Sequence, residues 1–180
     1  MVAGALFSAG LPIPAGGAPS LSMDGAHGML TALEGEAKEG RLIPVTLRFA
    51  AAGAVSTRAR IVEGGTMAHD ERYEVPAGEQ APSVRIAAEA EGEGWRVTLE
   101  VRDFAFSRDG VDGPHRPGAG HAHLYLDGLK LGRVYDTETI VGALPEGEHE
   151  LRVELNTNDH RVYSVDGLAV SDAVRVGGAD

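Results

Sequence analysis

Apolar and polar residues alternate with a period of two along much of the chain. In one stretch Trp95, Val97, Leu99 and Val101 share one side of an extended segment, which is typical of a β-strand with one buried face. Similar stretches recur at intervals of about ten residues, with Gly- and Pro-rich turns between them. The predicted strands are 42–49, 54–62, 83–91, 95–106, 120–126, 129–135 and 148–156, with one or two more over 162–176. The pattern therefore predicts an all-β protein.

The spacing of the strands also predicts the domain organisation. Short strands separated by turns over residues 83–180 favour an immunoglobulin-like β-sandwich. Residues 65–82 are polar and rich in Gly and Pro, which is typical of a linker. Residues 1–64 then form a separate N-terminal segment.

The strand at 120–126 carries the candidate chemistry. It belongs to the motif Gly-His-Ala-His-Leu-Tyr-Leu-Asp-Gly at 120–128, in which the Asp-Gly pair predicts a tight hairpin turn. Because side chains alternate between the faces of a strand, His121, His123 and Tyr125 share one side, and the intervening apolar residues face a core. Two imidazoles side by side on a rigid strand can bind one metal ion.

Two further histidines, His115 and His160, are expected near this pair. His115 lies in the loop before the strand and His160 in a loop after a neighbouring strand, so a sandwich can bring both loops to the end where His121 lies. Three or four imidazoles in one place would bind Cu(II), Zn(II) or Ni(II), and the order of intrinsic affinities favours copper over zinc. The alternative is that these histidines are surface residues, with His160 capping a turn. Candidate partners for the second N–H of each ligand are Asp112, Tyr125 and Asp159.

A second group of candidate ligands combines histidine with methionine. Its members are His27, Met29 and Met23, with Met67 and His69 in the predicted linker. Thioether sulfur is a soft ligand that selects Cu(I) over zinc or calcium. The pattern alone also fits Met29 as an ordinary core residue.

Composition narrows the choice of ligands and of function. The 180 residues include no Cys, which excludes disulfides and thiolate metal sites and leaves ligands that persist in an oxidising compartment. The net charge of −11 argues against a nucleic-acid partner, whose phosphates require a basic surface. No apolar run approaches the roughly 18 residues of a membrane span, and the chain has neither a nucleophile elbow nor a phosphate loop. We therefore expect no catalytic turnover, no nucleic acid and no membrane span.

Residues 11–62 resemble the C-terminal half of the PCuAC family of periplasmic copper chaperones. The matching stretches are LPIPAGG (11–17), GAHGML (25–30), EGRLIPVTLRF (39–49) and AGAV (52–55). The resemblance implies a cupredoxin-like β fold, copper ligands at His27 and Met29, and a flexible tail in which Met67 and His69 add ligands. It also implies cupro-oxidase assembly factors or other copper-handling proteins as partners. The first strands of the family and its upstream His and Met ligands have no counterpart here, so a partial cupredoxin-like segment is expected.

Residues 95–168 are similar to a family of exported bacterial proteins with a GHxHLYxDG motif. The matching stretches are 120–128, LPEG (144–147), NTNDH (156–160) and VDG (165–167). This resemblance supports the boundaries of the second domain.

Together these features predict a periplasmic or exported protein. Residues 1–15 are apolar but lack the basic start of a signal peptide, so we expect that a leader is absent from this sequence. The expected function is copper binding, as Cu(I) or Cu(II), in copper trafficking or homeostasis. A structural or adhesive module of the cell envelope, with incidental histidines, is the alternative.

Overall fold

The computed structural model describes residues 10–21, 26–28, 33–62 and 71–178. These residues form β-strands, turns and a short 3₁₀ helix, so the predicted all-β class is confirmed. The chain divides into two compact units. The smaller unit comprises residues 1–6 and 29–67, and the larger comprises residues 7–28 and 68–180.

The described part of the smaller unit contains a β-hairpin. Strands β1 (Leu42–Phe49) and β2 (Gly53–Arg60) pair antiparallel from Leu42↔Arg60 to Phe49↔Gly53. Gly53 closes the hairpin with a φ of 74°, a conformation that glycine adopts without steric cost. The predicted strand 42–49 matches β1, and the predicted strand 54–62 matches β2 to within two residues.

The larger unit is a sandwich of two sheets. Its strands are β3 (Arg72–Glu74), β4 (Ser83–Glu91), β5 (Gly94–Arg102), β6 (Ala105–Phe106), β7 (Ala119–Leu126), β8 (Leu129–Val134), β9 (Glu138–Val141), β10 (Glu148–Thr157), β11 (Val162–Val165), β12 (Leu168–Ala169) and β13 (Ser171–Gly177). One sheet has the order β12-β11-β10-β7-β6, with β8 pairing β7, β13 pairing β10 and β3 pairing β11. The other sheet has the order β4-β5-β9.

The core of this unit lies between the facing sides of the two sheets. Val97 and Leu99 of β5 point inward from one sheet, and Leu124 and Leu126 of β7 point inward from the other, all at most 4% exposed. These are the residues that the period of two assigns to buried faces, because burial of apolar area is the main gain on folding. The predicted sandwich is thus confirmed.

The chain changes sheet where the sequence predicts a bulge. Phe104 and Phe106 fall out of phase with the apolar residues of the preceding strand, which predicts a bulge near residues 102–103. In the structure β5 ends at Arg102, Asp103 takes a φ of 52°, and β6 joins the opposite sheet in parallel with β7. The phase changes because the chain leaves one sheet after Arg102 and enters the other at Ala105.

Two segments join the larger unit in places where the sequence gives little signal. The predicted linker 65–82 contains β3, which pairs in parallel with β11. Within the predicted N-terminal segment, the Ser20 amide donates to the Lys130 carbonyl, and the Ala15 amide donates to the Ala143 carbonyl. Three-residue strands and single bridges carry no periodicity, so the pattern of hydrophobic residues does not reveal them.

The predicted turn at Asp127-Gly128 connects β7 to β8 and anchors β10. Asp127 and Gly128 have φ values of 47° and 79°, as a type I′ turn requires. His149 Nδ1 donates to Asp127 Oδ2 at 2.6 Å and His149 Nε2 donates to the Pro145 carbonyl at 3.1 Å. Since both partners are acceptors, both ring nitrogens carry a proton, and the hydrogen bond to Asp127 raises the pKa of His149 above its ordinary value of 6.5.

This raised pKa predicts a pH-dependent stability. The charged imidazole is favoured in the folded state, so its contribution is complete below pH 6.5 and is lost as the pH rises through the folded-state pKa. We expect His149→Gln to lower the free energy of unfolding by about 1 kcal/mol at pH 5.5, since Asp127 is partly exposed. The difference should shrink by pH 9. Urea unfolding at both pH values measures it, and an equal difference at the two values contradicts the assignment.

Candidate metal site on strand β7

Strand β7 places its histidines inside the larger unit. It lies between β10 and β8, in register with β10 from Gly120↔Thr157 to Leu126↔Leu151. Ala122, Leu124 and Leu126 face the core between the sheets, as predicted. The other side of β7 is covered as well, because His121 and His123 are only 0% and 1% exposed. A pair of fully buried imidazoles is uncommon and needs a chemical explanation.

The two rings meet through their Nε2 atoms. His121 Nε2 and His123 Nε2 are 3.1 Å apart, and the ring centres are 4.9 Å apart. Two nitrogens bound to one metal at about 2.0–2.1 Å are about 2.9 Å apart at a right angle and about 3.3 Å apart in a tetrahedron. The observed separation falls between these values, so the pair can chelate one ion with little movement.

The surroundings keep His121 neutral. Burial lowers its pKa to about 2, and electrostatic interactions with His123, His160, Arg133 and Lys130 lower it further. The ring therefore has a lone pair available at physiological pH, which metal binding requires. Within the described residues, His121 Nδ1 is buried and makes no hydrogen bond.

His160 approaches the pair from the loop after β10. Its ring centre is 5.1 Å from that of His121, and His160 Nε2 donates to Asp112 Oδ1 at 2.5 Å. This hydrogen bond lowers the pKa of Asp112. Both residues have a left-handed backbone, with φ values of 69° and 66°, which is costly for residues other than glycine. An imidazole that donates to a carboxylate through one nitrogen is typical of metal-binding histidines.

His115 lies elsewhere. Its ring centre is 4.0 Å from that of Tyr73 and 5.9 Å from that of Tyr163, and neither of its ring nitrogens makes a hydrogen bond in the described part of the chain. Of the three or four imidazoles expected together, the ring of His121 contacts those of His123 and His160, and His115 packs against Tyr73 and Tyr163. The physical reason is β3, which carries Tyr73 and provides an aromatic surface against which His115 packs.

The three clustered histidines do not form a closed ligand set. Across residues 10–21, 26–28, 33–62 and 71–178, no three His, Cys, Asp or Glu side chains are arranged to hold a metal ion. His121 and His123 form the chelating pair, and His160 is an adjacent imidazole. The candidate Asp159 pairs with Arg161 and accepts a hydrogen bond from the Thr157 hydroxyl.

The second group of candidates is described only in part. His27 is exposed on the segment 26–28. Met23, Met29, Met67 and His69 lie outside the described residues. The Cu(I) group therefore stays a prediction.

Residues that the sequence does not single out surround the pair. The Tyr135 ring is 5.9 Å from His121, and the Arg108 guanidinium lies 4.4 Å from the centre of the Tyr135 ring. Glu154 of β10 is directly opposite His123 in the sheet. Cross-strand register determines these contacts, and a single sequence does not specify it.

The comparisons with known proteins concern the N-terminal third of the chain. Residues 5–61 match the sequence profile of a family described as "Putative lipoprotein LpqE-like", a range that nearly coincides with the residues resembling the copper chaperones. No curated protein and no solved structure matches the chain. None of the helices among the described residues is long and apolar enough to cross a membrane. The match to a lipoprotein family indicates an exported, envelope-associated protein.

Proposed function

We propose that this exported protein binds copper and acts in copper trafficking or homeostasis, without catalytic turnover. The observation that carries the proposal is the separation of 3.1 Å between the Nε2 atoms of two fully buried histidines, His121 and His123. A buried imidazole pair has little value for stability, because His121 Nδ1 lacks a hydrogen bond within the described residues. It has a clear value as a chelate.

The donor set favours copper over other metals. Imidazole nitrogen suits copper, zinc, nickel and iron, and among the divalent ions intrinsic affinity is highest for Cu(II). Hard ions such as calcium require six or more oxygen ligands, and the pair offers none. Zinc is the second choice, since it accepts the same nitrogen geometry.

An incomplete set of ligands suits a protein that passes a copper ion to or from another protein. Two imidazoles and an adjacent third leave coordination positions open, so ligands of a donor or acceptor protein can bind the same ion during exchange. A permanent structural site would instead be closed by four ligands. The resemblance of residues 11–62 to periplasmic copper chaperones supports the same role, with cupro-oxidase assembly factors or other copper-handling proteins as partners. On this proposal His27, Met29, Met67 and His69 supply a second, Cu(I)-selective set.

Metal-dependent melting tests the proposal. We expect one equivalent of Cu(II) to raise the melting temperature and to give an EPR spectrum with nitrogen hyperfine structure. A ligand present at a hundredfold excess over its Kd stabilises the native state by about 2.7 kcal/mol. Calcium and magnesium at the same concentration serve as controls and should leave the melting temperature unchanged. If copper produces neither a shift nor a spectrum, the structural or adhesive module is the better description.

A further inference from the structure

The buried face of β7 contains a continuous chain of polar contacts that begins at the imidazole pair. Tyr125, two residues after His123, places its hydroxyl 3.4 Å from His123 Nδ1 and 3.4 Å from Glu154 Oε1. Arg152 donates to the other oxygen of Glu154, Oε2, at 3.0 Å. We propose that Glu154, acting through Tyr125, is the positioning group that keeps the His123 proton on Nδ1 and directs the Nε2 lone pair toward His121.

The Glu154 carboxylate determines which group donates and which accepts in each of these hydrogen bonds. Glu154 forms an ion pair with Arg152, and a carboxylate only accepts hydrogen bonds. The Tyr125 hydroxyl therefore donates its one proton to Glu154 and accepts at its oxygen. His123 Nδ1 must then be the donor to Tyr125, which leaves Nε2 of the same ring without a proton.

The same order satisfies the contact between the imidazoles. With its Nε2 unprotonated, His123 accepts a hydrogen bond from His121 Nε2–H across 3.1 Å. His121 Nδ1 is then an unprotonated acceptor, and this is the atom that makes no hydrogen bond in the described part of the chain. A buried acceptor without a partner is less costly than a buried N–H without one.

The opposite assignment of donors and acceptors leaves two polar contacts unsatisfied. If His123 carried its proton on Nε2, the Tyr125 hydroxyl would have to donate to Nδ1, and the contact of 3.4 Å with Glu154 would join two oxygens without a proton. His121 Nδ1 would then be a buried N–H without an acceptor. Each such group loses its hydrogen bonds to water and gains none in return, so the geometry selects the Nδ1–H form of His123.

Arg152 contacts both Glu154 and Tyr125 and so fixes their positions. Besides its ion pair with Glu154, its guanidinium lies 4.0 Å from the centre of the Tyr125 ring. Tyr125 is fully buried, so its hydroxyl has little freedom to turn away from Glu154.

This inference rests on the proposed function for its consequence, since a preset Nε2 lone pair on His123 matters to a metal. His121 would shift its own proton from Nε2 to Nδ1 when both Nε2 atoms bind the ion. A metal at Nε2 of His123 would withdraw electron density from the ring and strengthen its Nδ1–H donation to Tyr125. Removal of such an outer partner typically lowers metal affinity 10–100-fold. Tyr125 and Glu154 would thus set the affinity of the site without touching the ion.

The proton position can be measured without metal. Nitrogen-15 NMR of histidine-labelled apo-protein distinguishes Nδ1–H from Nε2–H through the coupling of each nitrogen to the ring protons. We expect His123 to be the Nδ1–H form in the wild type. Tyr125→Phe removes the acceptor, and Glu154→Gln lets the side-chain amide donate to Tyr125, so both should raise the Nε2–H fraction. A wild-type spectrum with the proton on Nε2 overturns the inference, whatever the variants do.

Tyr163→Phe is the matched control. Tyr163 is also fully buried, but its hydroxyl donates to the carbonyls of Arg116 and Ala119. This variant should leave the His123 form and the copper affinity unchanged, whereas Tyr125→Phe and Glu154→Gln should weaken Cu(II) binding about 10–100-fold. Equal weakening in all three variants would mean a structural effect and would overturn the positioning role.

The two proposals fail in different ways. If His123 is the Nδ1–H form in the apo-protein but the protein binds no copper, the proposed function is contradicted and the positioning role of Glu154 and Tyr125 is upheld. If the protein binds copper tightly but His123 in the apo-protein carries its proton on Nε2, the proposed function is upheld and the positioning role is overturned.

Discussion

The double variant His121→Ala/His123→Ala is expected to bind Cu(II) at least a hundredfold more weakly than the wild type. Both chelating nitrogens are lost, and a hundredfold change corresponds to about 2.7 kcal/mol of binding free energy. The remaining imidazole of the cluster, His160, is held by Asp112 at 2.5 Å and cannot replace a chelate alone. Calorimetric titration of apo-protein with Cu(II) measures the effect.

Two single variants serve as controls for this experiment. His115→Phe keeps an aromatic ring against Tyr73, and His149→Gln changes a histidine that is bonded to Asp127 and Pro145. Both should bind copper as the wild type does. Circular dichroism must show that the double variant is folded, since it also replaces two buried side chains. If the folded double variant binds copper with undiminished affinity, the site on β7 is wrong.

Gly120→Ala is expected to destabilise the larger unit by about 2–3 kcal/mol, the usual cost of forcing extra atoms into a packed interior. A Cβ at position 120 would lie 1.9 Å from the Asn156 carbonyl oxygen and 3.1 Å from the Thr157 Cα. These are backbone atoms of β10, so they cannot turn aside as a flexible side chain can. The strands β7 and β10 would have to separate next to His121, and copper binding should weaken as well.

Gly28→Ala is the matched control for this prediction. An added Cβ at Gly28 has nothing within 4 Å, so the melting temperature should barely change. For a protein of this size, 2–3 kcal/mol corresponds to a melting temperature lower by roughly 4–12 °C. Equal melting temperatures for the two alanine variants would contradict the close approach of β7 and β10. The first glycine of the GHxHLYxDG motif thus has a packing reason that is independent of any ligand.

The sequence predicts the part of the site that lies within one strand. The alternation along 120–126 places His121, His123 and Tyr125 on one side, and the structure has them there. The neighbourhood of His160 and His121 is also foreseen, because both lie near the same end of adjacent strands. A period of two is a local property, so it can be read without knowing the fold.

The rest of the site depends on contacts between distant segments. His115 packs against Tyr73 because β3 joins the sheet in parallel with β11, and a three-residue strand has no detectable pattern. Glu154 stands opposite His123 only in the observed register of β7 and β10. A shift of one residue would turn Glu154 to the other side. The apolar pattern alone therefore identifies the two candidate ligands and Tyr125, and leaves the other supporting residues undetermined.

The complete burial of His121 and His123 has a kinetic consequence. An ion in solution, or a donor protein carrying one, cannot touch either Nε2 atom until neighbouring side chains move aside. Loading and release would then be governed by the rate of that opening and not by diffusion. Copper uptake measured by stopped flow should accordingly reach a plateau as the metal concentration increases.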